Sequence, residues 1–265
     1  QAARRLGLTA TLIREDGREG DVFSLVGPKR YEAPWKRLER EGWIAAAECT
    51  ELRVPLPPEA LEAYRRGSAR EKNRIAGENP LKLAAARSVL ERHRGAQTLV
   101  IGQYLRHLKE LAADLGAPLV TGETPARERE ALYGRFRRGE LRVLVVSKVA
   151  NFALDLPDAS VAVQVSGSFG SRQEEAQRIG RILRPKAGSN RAYFYTIVTE
   201  GTKETEFALK RQLFLVEQGY RYRCAAWTGE AQGAEEGAQV AEEAGAQVAE
   251  AAGAGARKAE GERAG

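Results

Sequence analysis

Between residues 95 and 219, short runs of valine, isoleucine and leucine alternate with longer stretches of helical character, and this alternation leaves few folds open. Five runs, at 98–101, 118–121, 142–147, 160–165 and 192–198, are apolar nearly throughout. That is the pattern of strands buried on both faces. Helices are expected between and after them, at 105–115, 125–138, 172–183 and 203–218. Thr124-Pro125 offers an N-cap followed by proline in the first turn. Ser171 and Glu174 form a capping-box pattern. Strands alternating with helices in this way predict an α/β fold, a parallel sheet with helices on both faces.

The flanking sequence has a different texture. Runs at 22–26 and 44–54 read as strands, with a short helix over 34–40 ended by Gly42. Residues 59–93 read as a basic helical stretch, with a capping box at Ser68 and Glu71 and a start signal at Asn79-Pro80. It precedes the sheet like an appendage or an insertion. From Ala225 the chain turns to alanine, glycine and glutamate, and residues 237–244 are echoed by 245–252. Trp227 aside, little there is large and apolar, so a disordered tail is expected. Four segments follow: 1–20, 21–94, 95–224 and the tail 225–265.

Composition narrows the chemistry. Only Cys49 and Cys224 are present, too few for a disulfide framework and in keeping with a reducing cytoplasm. His93 and His107 are the only histidines, which leaves metal sites and histidine triads without support. No apolar run has the length of a membrane span, and residues 1–11 do not have the form of a signal peptide. The 265 residues contain no methionine, so a truncated or processed chain is expected. The net charge of +6 conceals an asymmetry. The tail holds eight acidic and three basic residues, leaving 39 basic and 28 acidic residues in the body. A body that basic suits a polyanion, although ordinary solubility charge explains it equally well.

The segment most informative about chemistry is 177–184. On a helix, Gln177, Arg181 and Arg184 share one face at i, i+4 and i+7. Two guanidiniums so placed suit an anion between them, and phosphate accepts such forked donors well. A solvated basic face remains the alternative. Ser147-Lys148 and Asp155 follow strand 142–147, where open α/β sheets bind ligands. There Ser147 and Lys148 suit phosphates and Asp155 suits a ribose hydroxyl. A helix cap, a surface charge and a turn residue are the respective alternatives.

Taken in order, residues 98–104, Val120-Thr121-Gly122, 145–157 and 177–184 are similar to motifs IV, IVa, V and VI of superfamily 2 helicases. More closely, residues 6–17, 27–32 and 167–184 resemble the xeroderma pigmentosum group B (XPB) family of DNA helicases, a resemblance extending over most of 1–224. It implies that 95–224 is the second RecA-like lobe, that 1–20 is a remnant of the first lobe, and that 21–94 is a connecting segment with a thumb-like element. It further implies a role as the C-terminal part of an ATP-dependent DNA helicase, 3′-to-5′ and active in DNA repair.

The same resemblance assigns roles. Gln177, Arg181 and Arg184 fall on the motif that reaches ATP, the arginines as fingers, with Asp155 and Arg178 also toward the nucleotide. Gly102, Gln103, Thr121, Gly122, Ser147 and Lys148 fall where the lobe touches the DNA backbone. Thr9 and Thr11 fall on the coupling motif. Glycines after strands fit such contacts, since they let backbone N–H groups approach phosphates. Ala153 and Ala126 depart from the superfamily pattern, standing where glycine and glutamine are usual.

No G-x-x-x-x-G-K-[ST] occurs, and no acidic Mg²⁺ motif precedes Thr9. ATP with Mg²⁺ is therefore expected to bind jointly with a first lobe, and this chain alone is not expected to hydrolyse it. The expected partners are DNA, held through its backbone without sequence preference, and a repair nuclease or other repair proteins. The expected location is the cytoplasm, at the nucleoid. A stand-alone, non-catalytic nucleic-acid-binding module is the rival from another class. Motif VI separates the two, because a binding module has no need of three such groups on one face.

Overall fold

A computed structural model of the chain describes residues 5–7, 19–147, 159–167, 190–217 and 219–229. The expected helix at 172–183 and residues 230–265 lie outside the described residues. Among the described residues there are seven strands: β1 (Ala46–Val54), β2 (Thr98–Gly102), β3 (Leu119–Val120), β4 (Val143–Ser147), β5 (Val161–Gln164), β6 (Arg191–Thr199) and β7 (Tyr222–Ala226). They form a single sheet in the order β3-β4-β2-β5-β6-β1-β7, and every neighbouring pair is parallel.

The apolar runs account for the middle of this sheet. All five positions of β2 and all four of β5 are buried. Alternate side chains of each strand enter two separate cores. On one face Leu99, Ile101, Leu144, Val146, Ala162 and Phe194 pack with Tyr133 and Phe136 of α7 (Ala126–Arg137) and Leu215 of α8 (Lys203–Glu217). On the other, Val100, Val145, Val163 and Tyr195 pack with Ala85, Ala86 and Val89 of α5 (Leu81–Arg92) and with Leu108 and Leu111 of α6 (Leu105–Asp114). The expected parallel sheet with helices on both faces is what forms.

The upstream stretch is more closely built into this sheet than its sequence suggests. β1 lies between β6 and β7, aligned with β6 from Ala46↔Arg191 to Val54↔Thr199. The basic stretch divides into α3 (Pro58–Arg66), α4 (Ala69–Gly77) and α5, and α5 covers one face of the sheet. The Ser68 capping box is present: Ser68 N–H donates to Glu71 Oε2 at 2.8 Å, and Glu71 N–H to Ser68 Oγ at 3.4 Å. At the other end β7 runs through Ala225 to Ala226, and Trp227 N–H donates to Arg53 O at 2.8 Å. The sheet thus extends past the position where the sequence turns tail-like.

Residues 22–26 require a correction. They form the second half of a helix, α1 (Glu19–Val26), not a strand. A strand needs a neighbour for its backbone groups, whereas a helix pairs them within the segment. Gly27, at φ 107°, closes the helix with its N–H on Phe23 O at 2.8 Å. The short helix that follows, α2 (Trp35–Arg40), forms as expected, with Gly42 at φ 77° just beyond it.

The end of α4 is seated on Tyr104, so closely that a Cβ on Gly77 would overlap the tyrosine ring. Alanine favours a helix over glycine by about 1 kcal/mol. At Gly77 the overlap reverses that preference. Gly77→Ala is expected to destabilise the chain by about 1–3 kcal/mol, read from the midpoint of urea unfolding. An unchanged or higher midpoint would contradict this packing.

Candidate functional site at the carboxyl edge of the sheet

In a parallel sheet all strands finish on the same side, and the loops there are the ones not committed to the ladder. Five of the residues singled out in the sequence lie on this edge: Gly102 at the end of β2 and Gln103 after it, Thr121 and Gly122 after β3, and Ser147 at the end of β4. Gly102 and Ser147 are register partners, which brings two sequence-distant candidates side by side. Lys148, Asp155, Gln177, Arg178, Arg181, Arg184, Thr9 and Thr11 lie outside the described residues.

The geometry revises why these residues are there. Gly102 is a packing requirement before anything else. A Cβ there would stand 2.7 Å from Leu108 Cδ2 and 3.0 Å from Val165 Cγ2. Two backbone donors of this edge are in use. Gln103 N–H donates to Ser166 Oγ at 2.8 Å, and Thr121 N–H donates to Thr124 Oγ1 at 2.9 Å. Thr124 therefore does not cap α7 as its place before Pro125 suggests; α7 has no side-chain cap. Its hydroxyl turns back to fix the loop after β3, and an Arg129 Nη2–H donates to Thr124 O at 2.9 Å from α7.

A hydroxyl that accepts one bond still has its own O–H to donate. Ser166 and Thr124 are thus two donors on this edge that the sequence reading passed over. The available signal was a small hydroxyl residue just beyond a strand, which is common and weak. Two further polar atoms here are buried without a partner among the described residues, Ser147 Oγ and Gln103 Oε1. Buried polar atoms left unpaired are costly, so both point to a further polar group meeting this edge. Beside them, a small pocket between β5, β6 and the starts of α6 and α8 is lined by Tyr104, Gln164, Ser166, Gly167, Thr196 and Glu204.

His107 stands in the first turn of α6, four residues beyond Gln103, and is 2% exposed. Burial, and after it the charge of Lys82, lowers its pKa to about 4. The ring is neutral at pH 7, with neither nitrogen partnered among the described residues. Among those residues no group of three or more histidine, cysteine, aspartate or glutamate side chains is placed to hold a metal ion. No helix among them is long and apolar enough to cross a membrane.

Comparison with known proteins identifies the family of the chain. The family model of the ERCC3/RAD25/XPB C-terminal helicase matches residues 38–256. A DNA 3′-5′ helicase XPB of Mycobacterium tuberculosis is 60% identical over 222 residues, which is 84% of this chain and 40% of that protein. The relative of the same name in Kineococcus radiotolerans is 58% identical over 223 residues, with the same two shares. In Saccharomyces cerevisiae, the XPB/SSL2 helicase/translocase subunit of general transcription and DNA repair factor IIH is 39% identical, over 84% of this chain and 27% of that one.

The chain thus spans about two fifths of its bacterial relatives. Among solved structures, a fragment of an HsdR subunit of a type I restriction enzyme from Vibrio vulnificus superposes with a TM-score of 0.60 at 19% identity, over 82% of this chain and 43% of that one. Yeast Dbp5 bound to RNA and ADP BeF3 superposes with a TM-score of 0.57 at 12% identity, over 81% and 49%. At such identities these two likenesses establish the fold, a RecA-like helicase lobe.

His107 gives this edge a measurable signature. Its folded pKa lies below the unfolded value of 6.5. Between pH 6.5 and about 4 the unfolded chain therefore binds a proton that the folded chain does not. Stability from this group is complete above 6.5 and falls through that window by about 1.4 kcal/mol per pH unit. Urea unfolding at several pH values should show His107→Leu to be less acid-sensitive than the native chain over that range. Parallel slopes would mean that the imidazole is solvated.

Proposed function

The chain belongs to the ERCC3/RAD25/XPB C-terminal helicase family, and from that premise we propose that it serves as the second motor lobe of an ATP-dependent DNA helicase. The observation that carries the proposal is positional. Every candidate contact that can be located falls on one edge of one parallel sheet, and two of them, Gln103 and Ser147, carry a buried polar atom without a partner among the described residues.

On this proposal, the DNA backbone runs along the carboxyl edge over Gln103, Thr121, Gly122, Ser147 and Lys148. The hydroxyls of Ser166 and Thr124 hold the first two of these loops in place. Such contacts carry little base specificity, because phosphates present the same oxygens at every step. Binding is then salt-dependent, as expected for a body with 39 basic and 28 acidic residues outside the tail.

The nucleotide we assign is ATP with Mg²⁺, held jointly with a first lobe. A glutamine and two guanidiniums at i, i+4 and i+7 are a fitting donor set for a polyphosphate, so Gln177, Arg181 and Arg184 would hold the phosphates, with Arg178 also toward the nucleotide and Asp155 toward the ribose. The carboxylates for Mg²⁺ are assigned to the first lobe, as no acidic Mg²⁺ motif occurs in this chain. Bound ATP supplies the free energy of phosphoryl transfer to water. The part played by this chain is to bring Arg181 and Arg184 to the cleft as the lobes close, and to move its DNA-holding edge as they part.

The polarity we propose for translocation is 3′-to-5′, and the relatives named DNA 3′-5′ helicase support it. DNA repair is the setting we propose, supported by the factor IIH relatives, whose names include it. A repair nuclease or other repair proteins, met at the nucleoid in the cytoplasm, complete the proposal.

The test uses this chain joined to a first lobe with a phosphate-binding loop. Arg181→Ala is expected to lower DNA-stimulated ATP hydrolysis by about 10³-fold or more. The dissociation constant for a single-stranded oligonucleotide should stay within about twofold, since an arginine finger contributes to turnover and not to the hold on DNA. Undiminished hydrolysis would remove Arg181 from the motor and favour a plain nucleic-acid-binding module.

A further inference from the structure

Lys82 is one of the large side chains that are fully buried among the described residues, at 0% exposed, and it stands on α5, in the stretch that reads as an appendage in the sequence. Its Nζ donates to Glu204 Oε2 at 2.7 Å and to Val165 O at 2.8 Å. Glu204 lies in the first turn of α8, and the same carboxylate oxygen accepts the Thr199 N–H at 2.9 Å. One ammonium therefore ties together the helix that precedes β2, the residue just after β5 and the helix that follows β6.

What lies next to Val165 gives this bond its consequence. Val165 N–H donates to Ile101 O at 2.9 Å, continuing the pairing with β2, and its carbonyl points to Lys82. The adjoining Ser166 carries the hydroxyl that accepts Gln103 N–H. The path from Lys82 to Gln103 is thus Lys82 to Val165, one peptide to Ser166, and one hydrogen bond to the loop after β2.

We propose that the Lys82–Glu204 pair is a positioning element that fixes Ser166 and, through it, holds Gln103 in the setting that meets DNA. The DNA part of this proposal rests on the carboxyl-edge reading above.

Stability alone is a poor account of the pair. Replacing a buried ion pair with apolar side chains of similar volume is often neutral or favourable. A directed bond to a strand-end carbonyl is what an apolar side chain cannot supply. The surroundings fit such a role. The neighbouring His107 is held neutral, so it adds no second positive charge beside Lys82. The start of α5 is pinned as well. Asn79 Nδ2 donates to Pro55 O at 2.9 Å and to Thr199 Oγ1 at 3.2 Å, and Asn79 Oδ1 accepts the Leu81 N–H at 3.0 Å.

The test pairs Lys82→Met with Glu204→Gln in the 265-residue chain. This removes both charges together and leaves an amide oxygen for the Thr199 N–H. Three quantities are read: the melting temperature, the exchange rate of the Gln103 amide hydrogen, and the affinity for a 20-nucleotide oligothymidine at low salt. A chain that still melts cooperatively near the native temperature, with Gln103 exchange at least tenfold faster and DNA affinity about tenfold weaker, supports the proposal.

In a Gln103→Ala background the pair replacement should then weaken binding by less than about twofold, because both changes act on one path. Unchanged Gln103 exchange in the folded variant overturns the positioning role, whatever the DNA affinity. Faster exchange with native affinity overturns the link to DNA. Should the native chain not bind the oligonucleotide, the carboxyl-edge reading and the DNA link fail together, while exchange still decides the positioning role. If the double replacement does not fold, Ser166→Ala cuts the same path with the ion pair intact. It must then produce both the faster exchange and the weaker binding, and native values for either overturn the proposal.

Discussion

The parallel ladder between β2 and its neighbours β4 and β5 is the constraint from which the rest of the structure follows. Buried on both faces, these strands pair their backbone groups with one another and leave the sheet interior no polar capacity. Polar chemistry is confined to the ends. The crossover helices needed by parallel strands cover the faces, so the two edges at the strand termini are what remain for binding. On the carboxyl edge the ladder places Gly102 beside Ser147 and Ile101 beside Gln164, which brings loops of distant sequence origin together. The amino edge has its own hollow, lined by Arg87, His93, Arg94, Asp114 and Arg142, but Arg87 there is already paired with Asp114.

The central strands were legible because their signal is local. A continuous apolar run needs no knowledge of its partner to be recognised as buried. β1 and β7 were harder for the opposite reason. Along β1, Glu48 is exposed and Thr50 and Arg53 are half-buried, and its position between β6 and β7 depends on pairing across more than a hundred residues. β7 is a Tyr-Arg-Cys-Ala-Ala segment with a weak apolar signal, next to a stretch that reads as tail. The helix at Glu19–Val26 shows the same limit, since a short apolar run does not declare its period.

At the site, the sequence singled out residues that the assembled sheet brings to one edge, and the structure overturns the reading of Thr124 as a helix cap. Gly102 is explained by Leu108 and Val165, contacts made only once the sheet is assembled. Thr124 faces back toward Thr121, although Thr124-Pro125 carries a helix-start signature. Lys82 had a visible clue that went unused. It lies on the same helical face as Ala85, Ala86 and Val89, three and four residues and then a further turn along α5, and that face is buried. A lysine in an apolar stripe asks for a partner. Its partner, Glu204, lies 122 positions away, where no local pattern reaches.

These features join into one account of a lobe in which α5, the central sheet and α8 meet at the carboxyl edge proposed to hold DNA. Its most direct test is where DNA lies. A single-stranded oligonucleotide carrying 4-thiothymidine, cross-linked to the chain by light and mapped by mass spectrometry, reports the residues in contact. The account places the attachments on peptides containing Gly102 and Gln103, Thr121 and Gly122, and Ser147. Attachments concentrated instead around His93, Arg94 and Arg142, at the opposite edge, would contradict it.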